Sequence, residues 1–500
     1  MSNGKLMNRW LVVVGALLIQ LSLGAIYAWS VFTPGLTANT PKKIVDVYGA
    51  PQLGLEEADF VAMKENLKAP AKELATLTAN AKSEQDADKK KALVAQQGEV
   101  LKTMDAIILK YVKADKIEAL TYGFTNSQTQ AVFAAGLAFF AIIMVMAGRK
   151  LPTLGPRKLA MAGGITLGAG YILAGLVAGK SFMMHLLFIG VIGGSGIGLA
   201  YVVPIAVAMR WFPDKKGLIT GLAVAGFGFG ATGWVKLAGA WGHLIADMGM
   251  ASVFTVYGVA FLAIVLLGSL PMIFPPEGFK PEGWNPPAAA PGQAAMGSVN
   301  FTASEMLKTP QFYMIWTVFV FSAGAGLMSI GLMKAFPSQA LVRTSGLDPV
   351  TASAIAGTAM AVFFSLANGL GRIMWGAFSD KLGRKRSIMI MTAIQGVTLL
   401  AFTFMAGNEY MLYLGATLIG FNFGGNFALF PTITADTFGS ANVGQNYGWV
   451  FLAYGFGGVI GPMLGGILGD MGNFPLAFTI TGVLCLVASA IIFMVKPATK

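Results

Sequence analysis

Only one cysteine, Cys485, and two histidines, His185 and His243, occur in 500 residues. One thiol excludes an internal disulfide, and two isolated histidines near expected loops make neither a metal site nor a proton relay. Charge is scarce too: 12% of residues are Asp, Glu, Lys or Arg, against a hydrophobic fraction of 55% and a mean hydropathy of +0.67. That balance excludes an ordinary soluble enzyme and places the chain among polytopic membrane proteins. No nucleophile–base pair or metal-ligand cluster emerges, so the reading is of a non-enzyme with no cofactor. Scarcest of all are carboxylates in the long apolar runs, where not one occurs.

What is present is length. Twelve apolar runs come near the roughly 20 residues a bilayer requires. They lie at 10–33, 127–147, 159–179, 183–209, 218–240, 252–273, 310–333, 351–375, 388–406, 411–433, 446–468 and 474–495. The expected fold is all-α, twelve transmembrane helices in two pseudo-symmetric bundles of six. Basic residues set the orientation. With a cytoplasmic N-terminus, 17 Lys and Arg from Lys5 to Lys500 fall on the cytoplasmic side, while the short outer loops hold only Lys180, Lys334 and Arg343. The positive-inside rule therefore places both termini in the cytoplasm, as in a bacterial-type inner membrane. The net charge of +12 then reflects topology rather than nucleic-acid binding. The first run is longer than a signal h-region, holds Gln20 and precedes no convincing cleavage site, so it reads as a retained helix.

The runs divide into 1–273 and 310–500 around a Pro/Gly/Ala-rich linker, 274–309. Between the first two runs lies an outer insertion, 38–125, with 13 Lys balanced by 13 Asp and Glu. Its Leu93, Val94, Leu101, Met104, Ile108 and Val112 recur near a helical period, which predicts a helical hairpin with a kink at Pro70. It reads as structural decoration, the alternative being a sensor or docking module. The halves echo each other: Gly148–Lys158 follows the second run and Gly376–Arg386 the eighth. The second copy resembles the loop signature of the major facilitator superfamily, G-x-x-x-D-[RK]-x-G-[RK]-[RK], with Asp380, Arg384 and Lys385 as candidate gating residues. The first copy has Pro152 where the Asp would stand, so that half is expected to latch differently.

One cation lies deep in a run, Arg372, with Asn368 four residues before it on the same helix face. A guanidinium at mid-bilayer depth costs roughly 2.5–3.5 kcal/mol on insertion scales, so it faces an aqueous cavity or a partner. With no acidic partner in the runs, the simplest partner is an anion carried as cargo, met by the planar fork of Arg and the amide of Asn. The bland alternative is an Arg that snorkels to headgroups. Tyr27, Tyr201, Phe227, Phe423, Phe427 and Tyr454 sit mid-run and together would close an aromatic cage around a small anion; taken alone, each reads sooner as packing or an interfacial anchor. Lys236 reads as an outer snorkelling residue.

Arg210-Trp211-Phe212-Pro213-Asp214-Lys215-Lys216-Gly217, Ala428-Leu429-Phe430-Pro431, Asp436, Phe438-Gly439 and Asn446-Tyr447-Gly448 are similar to the oxalate/formate antiporter family. The likeness spans nearly all the chain except 38–125. It implies that Arg372 binds a substrate carboxylate. Oxalate carriers of that family also have a lysine in the eleventh helix, and aligning through Asn446-Tyr447-Gly448 puts Tyr454 there. A dianion facing one cation would be undercompensated. The pattern is thus closer to bacterial relatives that carry lactate and similar monocarboxylates. Animal monocarboxylate carriers have Asp at the Asn368 position, so their proton scheme does not transfer whole. The expectation is a monomeric alternating-access carrier of a small organic anion, with proton symport preferred. Its alternatives are oxalate/formate-type exchange and a membrane sensor using the outer insertion.

Overall fold

The computed structural model describes residues 7–83, 86–239, 241–283, 300–333, 335–347, 349–496 and 498. Lys5, Lys334, Lys500 and the linker stretch 284–299 lie outside them. The chain is 84% helical, with no strand among the described residues.

The first half holds α1 (Trp10–Thr37), α2 (Asn126–Leu154), α3 (Pro156–Leu176), α4 (Phe182–Trp211), α5 (Lys216–Ala238) and α6 (Leu244–Ser269). The second holds α7 (Pro310–Leu332) and α8, which runs through Pro349–Thr358, a π-helical Ala359–Phe364 and Ser365–Leu382. It continues with α9 (Arg384–Met405), α10 (Glu409–Phe438), α11 (Val443–Asp470) and α12 (Phe474–Met494). Eleven of these are long and apolar enough to cross a membrane on composition alone. The exception is α10, which carries Asn422 and Asn426 at its centre. Both are buried: Asn422 accepts from Trp375 Nε1 at 3.2 Å and Asn426 from Ser322 Oγ at 2.7 Å. Their polarity is turned onto neighbouring helices rather than lipid, which is how a membrane helix tolerates it.

The two loops that echo each other in sequence turn alike. Gly155 (φ 76°) ends α2 and Gly383 (φ 86°) ends α8, each followed directly by the next helix. That left-handed φ is open to glycine without a Cβ clash. Small residues also let the halves meet closely along α5 and α8. A Cβ on Gly217 would stand 2.2 Å from the Gly376 carbonyl oxygen, and one on Gly221 would stand 2.1 Å from that of Arg372. The second seam joins α2 and α11, where Gly148 abuts Gly444.

The insertion is a helical hairpin, Glu57–Ser83 and Ala87–Tyr111, flanked by the short helices Pro41–Val47, Ala50–Leu53 and Ala114–Leu120. Pro70 lies inside its helix, which runs from Glu57 to Ser83. The insertion's inward face keeps Met104, Ile108 and Val112 of the expected stripe but not Val94 or Leu101. Met63, Leu67, Val100, Met104 and Ile108 are buried, while Val94 (54% exposed) and Leu101 (38%) face outward, because the hairpin partner lies on the Val100–Met104 side. Gly49 N donates to Ala246 O (3.0 Å), Gln52 Nε2 to Asp247 O (2.9 Å) and Lys180 Nζ to Glu118 O (2.5 Å). These bonds dock it on residues of the first half.

Candidate functional site

The π-helical segment of α8 ends at Phe364, one turn before Asn368, and the tighter helix that follows aims Asn368 and Arg372 at α5 and α10. Arg372 is 0% exposed. Its Nε donates to Asn368 Oδ1 at 3.2 Å, and its Nη1 donates to the carbonyl oxygen of Val224 in α5 at 3.0 Å. The guanidinium carbon lies 4.1 Å from the centre of the Phe427 ring and 5.6 Å from that of Phe227. Electron-rich ring faces attract a desolvated cation, by up to about 2 kcal/mol or more. Nη2 has no partner within the protein. Among the described residues, ion pairs form at Arg9, Lys42, Lys68, Lys102, Lys216 and Arg384, and none includes Arg372. The side chain therefore points into the seam between the halves, not out to headgroups.

Four tyrosines, Tyr27, Tyr201, Tyr447 and Tyr454, lie within electrostatic reach of that cation. Tyr27 stands in the 3₁₀ stretch Gly24–Val31 of α1, and its hydroxyl hydrogen-bonds that of Tyr454 in α11, joining the two halves. Its ring meets Phe227 edge-on at 5.1 Å, and Tyr201 meets the same ring at 5.5 Å. Phe427 packs on Tyr454 at 5.4 Å. Phe423 is set one layer back, against Phe427, Phe364 and the Gly326 position of α7. So Asn368, Tyr27, Tyr201, Tyr454, Phe227 and Phe427 come together at Arg372, and Phe423 backs them.

Sequence reasoning missed Phe451, whose ring lies 5.0 Å from Phe140, 5.3 Å from Tyr201 and 5.1 Å from Tyr454. The stripe Tyr447, Phe451, Tyr454 at helical spacing was the available signal. The Val224 carbonyl left no signal, since every residue has one.

At the end carrying the α8–α9 loop, Asp380 reaches across the seam. Its carboxylate accepts from the backbone N–H groups of Gly217 and Leu218, both at 2.8 Å, capping the positive end of α5. Arg384 Nη2 pairs with Asp380 Oδ1 at 2.6 Å, and its Nε with Asp436 Oδ2 at 3.1 Å. Lys216 Nζ meets Asp436 Oδ1 at 3.1 Å. Asp436, quoted in the sequence only as a motif residue, is thus the hub. Lys385 takes no part: it lies over Phe493 at 5.2 Å, because one residue of helix phase separates it from Arg384. Where Pro152 replaces the aspartate, the start of α11 is braced otherwise. Arg210 Nη2 donates to Ala441 O (2.5 Å), and the Asn442 and Asn446 amides donate to Phe301 O (2.9 and 3.1 Å). Lys236 lies 6.0 Å from the Trp241 ring, away from Arg372.

Twelve long helices in two echoing halves, closed on a buried cation at their seam, define a polytopic membrane transporter. The chain matches the sequence profile of the Major Facilitator Superfamily over residues 103–353 and 325–500, and it belongs to that superfamily. It is 29% identical to the oxalate:formate antiporter of Oxalobacter formigenes over 344 residues, 69% of this chain and 76% of that one. It is 24% identical to apicoplast pyruvate carrier 1 of Toxoplasma gondii over 370 residues, 65% of this chain and 66% of that one. The crystal structure of the human organic anion transporter MFSD10 superposes with a TM-score of 0.57 at 12% identity, covering 97% of this chain and 100% of that one, which shows the fold.

Proposed function

We propose that this transporter carries small monocarboxylates of the lactate and pyruvate kind by alternating access, with a proton as the coupling ion. One observation carries the reading: Arg372 is a fully buried guanidinium at the seam, with no acidic partner among the described residues and Nη2 unengaged. A single cation balances a single carboxylate. Tyr454 stands where a second cation would be needed for a dicarboxylate, and a buried dianion would remain undercompensated. The relatives named for oxalate, formate and pyruvate are consistent with a small carboxylate as cargo.

In this reading Arg372 holds the carboxylate through the N–H groups left free on its Nη atoms. Asn368 fixes the guanidinium plane and Tyr454 orients the substrate. Tyr27, Tyr201, Phe227, Phe427 and, behind them, Phe423 exclude water from it. The bundles 1–273 and 310–500 rock about this site while the linker 274–309 spans them. The basic-residue asymmetry supports an orientation with both termini and the Asp380–Arg384–Asp436 cluster in the cytoplasm of a bacterial-type inner membrane, and the 38–125 insertion outside. That cluster then closes the inner gate and must part for release.

Arg stays protonated at physiological pH, so the proton travels with the carboxylate itself. The absence of a carboxylate near Arg372 among the described residues equally favours a second reading, anion exchange. Counterflow in proteoliposomes at clamped pH separates them. Lactate uptake driven by an inward proton gradient into anion-free vesicles supports symport, and uptake that demands internal anion and ignores the gradient supports exchange. Uptake of no monocarboxylate under either condition would sink the reading.

A further inference from the structure

The cations of the two echoing turns, Gly148–Lys158 between α2 and α3 and Gly376–Arg386 between α8 and α9, have different surroundings. In the second turn Arg384 is buried and paired with Asp380 and Asp436, and Lys385 lies over the Phe493 ring. The first turn contains no carboxylate, and its Arg149, Lys150, Arg157 and Lys158 are all exposed. None of these four is in an ion pair among the described residues. Arg149 lies over the ring of Trp449 in α11 at 5.5 Å, and tryptophan is a residue of the membrane–water interface. Four like charges gathered in one turn repel each other, and an anion brought among them relieves that repulsion.

The helices on either side say which anion. Both α2 and α3 are long and apolar enough to span the membrane, and this turn joins their ends. The exposed side of α2 runs Ile142, Met146, Lys150, and that of α3 runs Lys158, Ala162, Ile165. Residues three and four apart share a helix face, so each lysine ends an otherwise apolar exposed stripe. Such a stripe meets acyl chains along its length and headgroups at its end. An anionic phospholipid matches both parts, with its phosphate at the two lysines and its chains along the stripes. Free phosphate would use only the charged end, and a zwitterionic headgroup brings a cation of its own into a cluster of cations.

We propose that the α2–α3 turn is a binding site for an anionic phospholipid, with Lys150 and Lys158 holding the phosphate and Arg149 and Arg157 adding to the field. The echoing α8–α9 turn, whose buried arginine already has its carboxylates, binds that lipid more weakly.

Stepwise lipid binding to the purified full-length protein in neutral detergent is measured by native mass spectrometry. The probes are dioleoylphosphatidylglycerol, dioleoylphosphatidylcholine as the zwitterionic lipid, and inorganic phosphate as the anion without chains. Lys150→Gln/Lys158→Gln is compared with Lys381→Gln/Lys385→Gln, which removes the same charge from the echoing turn. A juxtamembrane cation is worth about fivefold in affinity for acidic lipid, so the first pair should weaken phosphatidylglycerol binding about thirtyfold and the second less than about threefold. Phosphatidylcholine binding should be unchanged in both. Equal weakening by the two pairs, or none by the first, overturns the proposal, and so does inorganic phosphate that displaces the lipid. Native protein that binds phosphatidylcholine as tightly as phosphatidylglycerol overturns it without recourse to a variant. Thermal melting checks the fold, and the single variants Lys150→Gln and Lys158→Gln, each expected to weaken binding about fivefold, carry the same test if the pair does not fold.

Discussion

Replacing Arg372 by lysine keeps the charge and removes the shape, which makes it the sharpest perturbation of the site. In the native protein the guanidinium plane is set by three contacts: Asn368 Oδ1 on Nε at 3.2 Å, Val224 O on Nη1 at 3.0 Å, and the Phe427 face at 4.1 Å. A lysine ammonium is a single point with three donors and cannot stack flat on the ring. It can hold one of these acceptors or one carboxylate oxygen well, but not the set. Losing one charge-assisted hydrogen bond to the substrate costs about 2 kcal/mol, which is roughly a thirtyfold loss of Vmax/KM. Arg372→Gln removes the charge as well and should fall below that. The assay is initial lactate or pyruvate uptake at equal reconstituted protein, with thermal melting to show that each variant is folded. If Arg372→Lys keeps Vmax/KM within about threefold of native, the fork is not what recognises the substrate, and the reasoning from guanidinium geometry fails.

Three further outcomes are expected. Tyr454→Lys supplies the second cation and should raise the oxalate-to-lactate uptake ratio about tenfold, a close buried charge pair being worth more than that in favourable cases; an unchanged ratio places Tyr454 outside the site. Asp380→Asn keeps the shape but strips the charge from the start of α5 and from Arg384. A carboxylate at a helix N-terminus is worth up to about 2 kcal/mol, so alkylation of a cysteine introduced at Leu151, on the α2–α11 seam, should quicken about tenfold, and an unaltered rate removes Asp380 from the gate. Gly221→Ala puts a Cβ 2.1 Å from the Arg372 carbonyl oxygen. It should abolish transport while the protein still reconstitutes, and ordinary uptake would mean that α5 and α8 need not approach so closely.

The features legible in the sequence share one trait: they are set by the solvent. A bilayer demands about 20 apolar residues per span whatever the neighbours, so eleven of the twelve runs qualify on composition alone. The departure, α10, is informative, because Asn422 and Asn426 look too polar for lipid and are in fact turned onto Trp375 and Ser322. Arg372 was legible for the same reason, since a lone cation in an apolar run must have a purpose. The ion-pair cluster beside the α8–α9 loop was half legible. Asp380 and Arg384 showed in the repeated loop, but Lys385 was indistinguishable from Arg384 until helix phase separated them. Within the insertion the period was right and Met104, Ile108 and Val112 are buried, but Val94 and Leu101 are not, because Val94 and Val100 are equally apolar and only the hairpin partner chooses between them.

By itself, then, the amino-acid order determined that this is a twelve-helix membrane carrier with an unpaired guanidinium in its eighth span. Transfer free energies act residue by residue and need no knowledge of the fold. Only the tertiary structure decided that the guanidinium turns inward, that the Val224 carbonyl and the Phe427 face receive it, and that Tyr27 meets Tyr454 from the opposite half. Those contacts join residues far apart in the chain, and helix phase and the close approach of glycine-lined faces set them. Neither is written in any one segment.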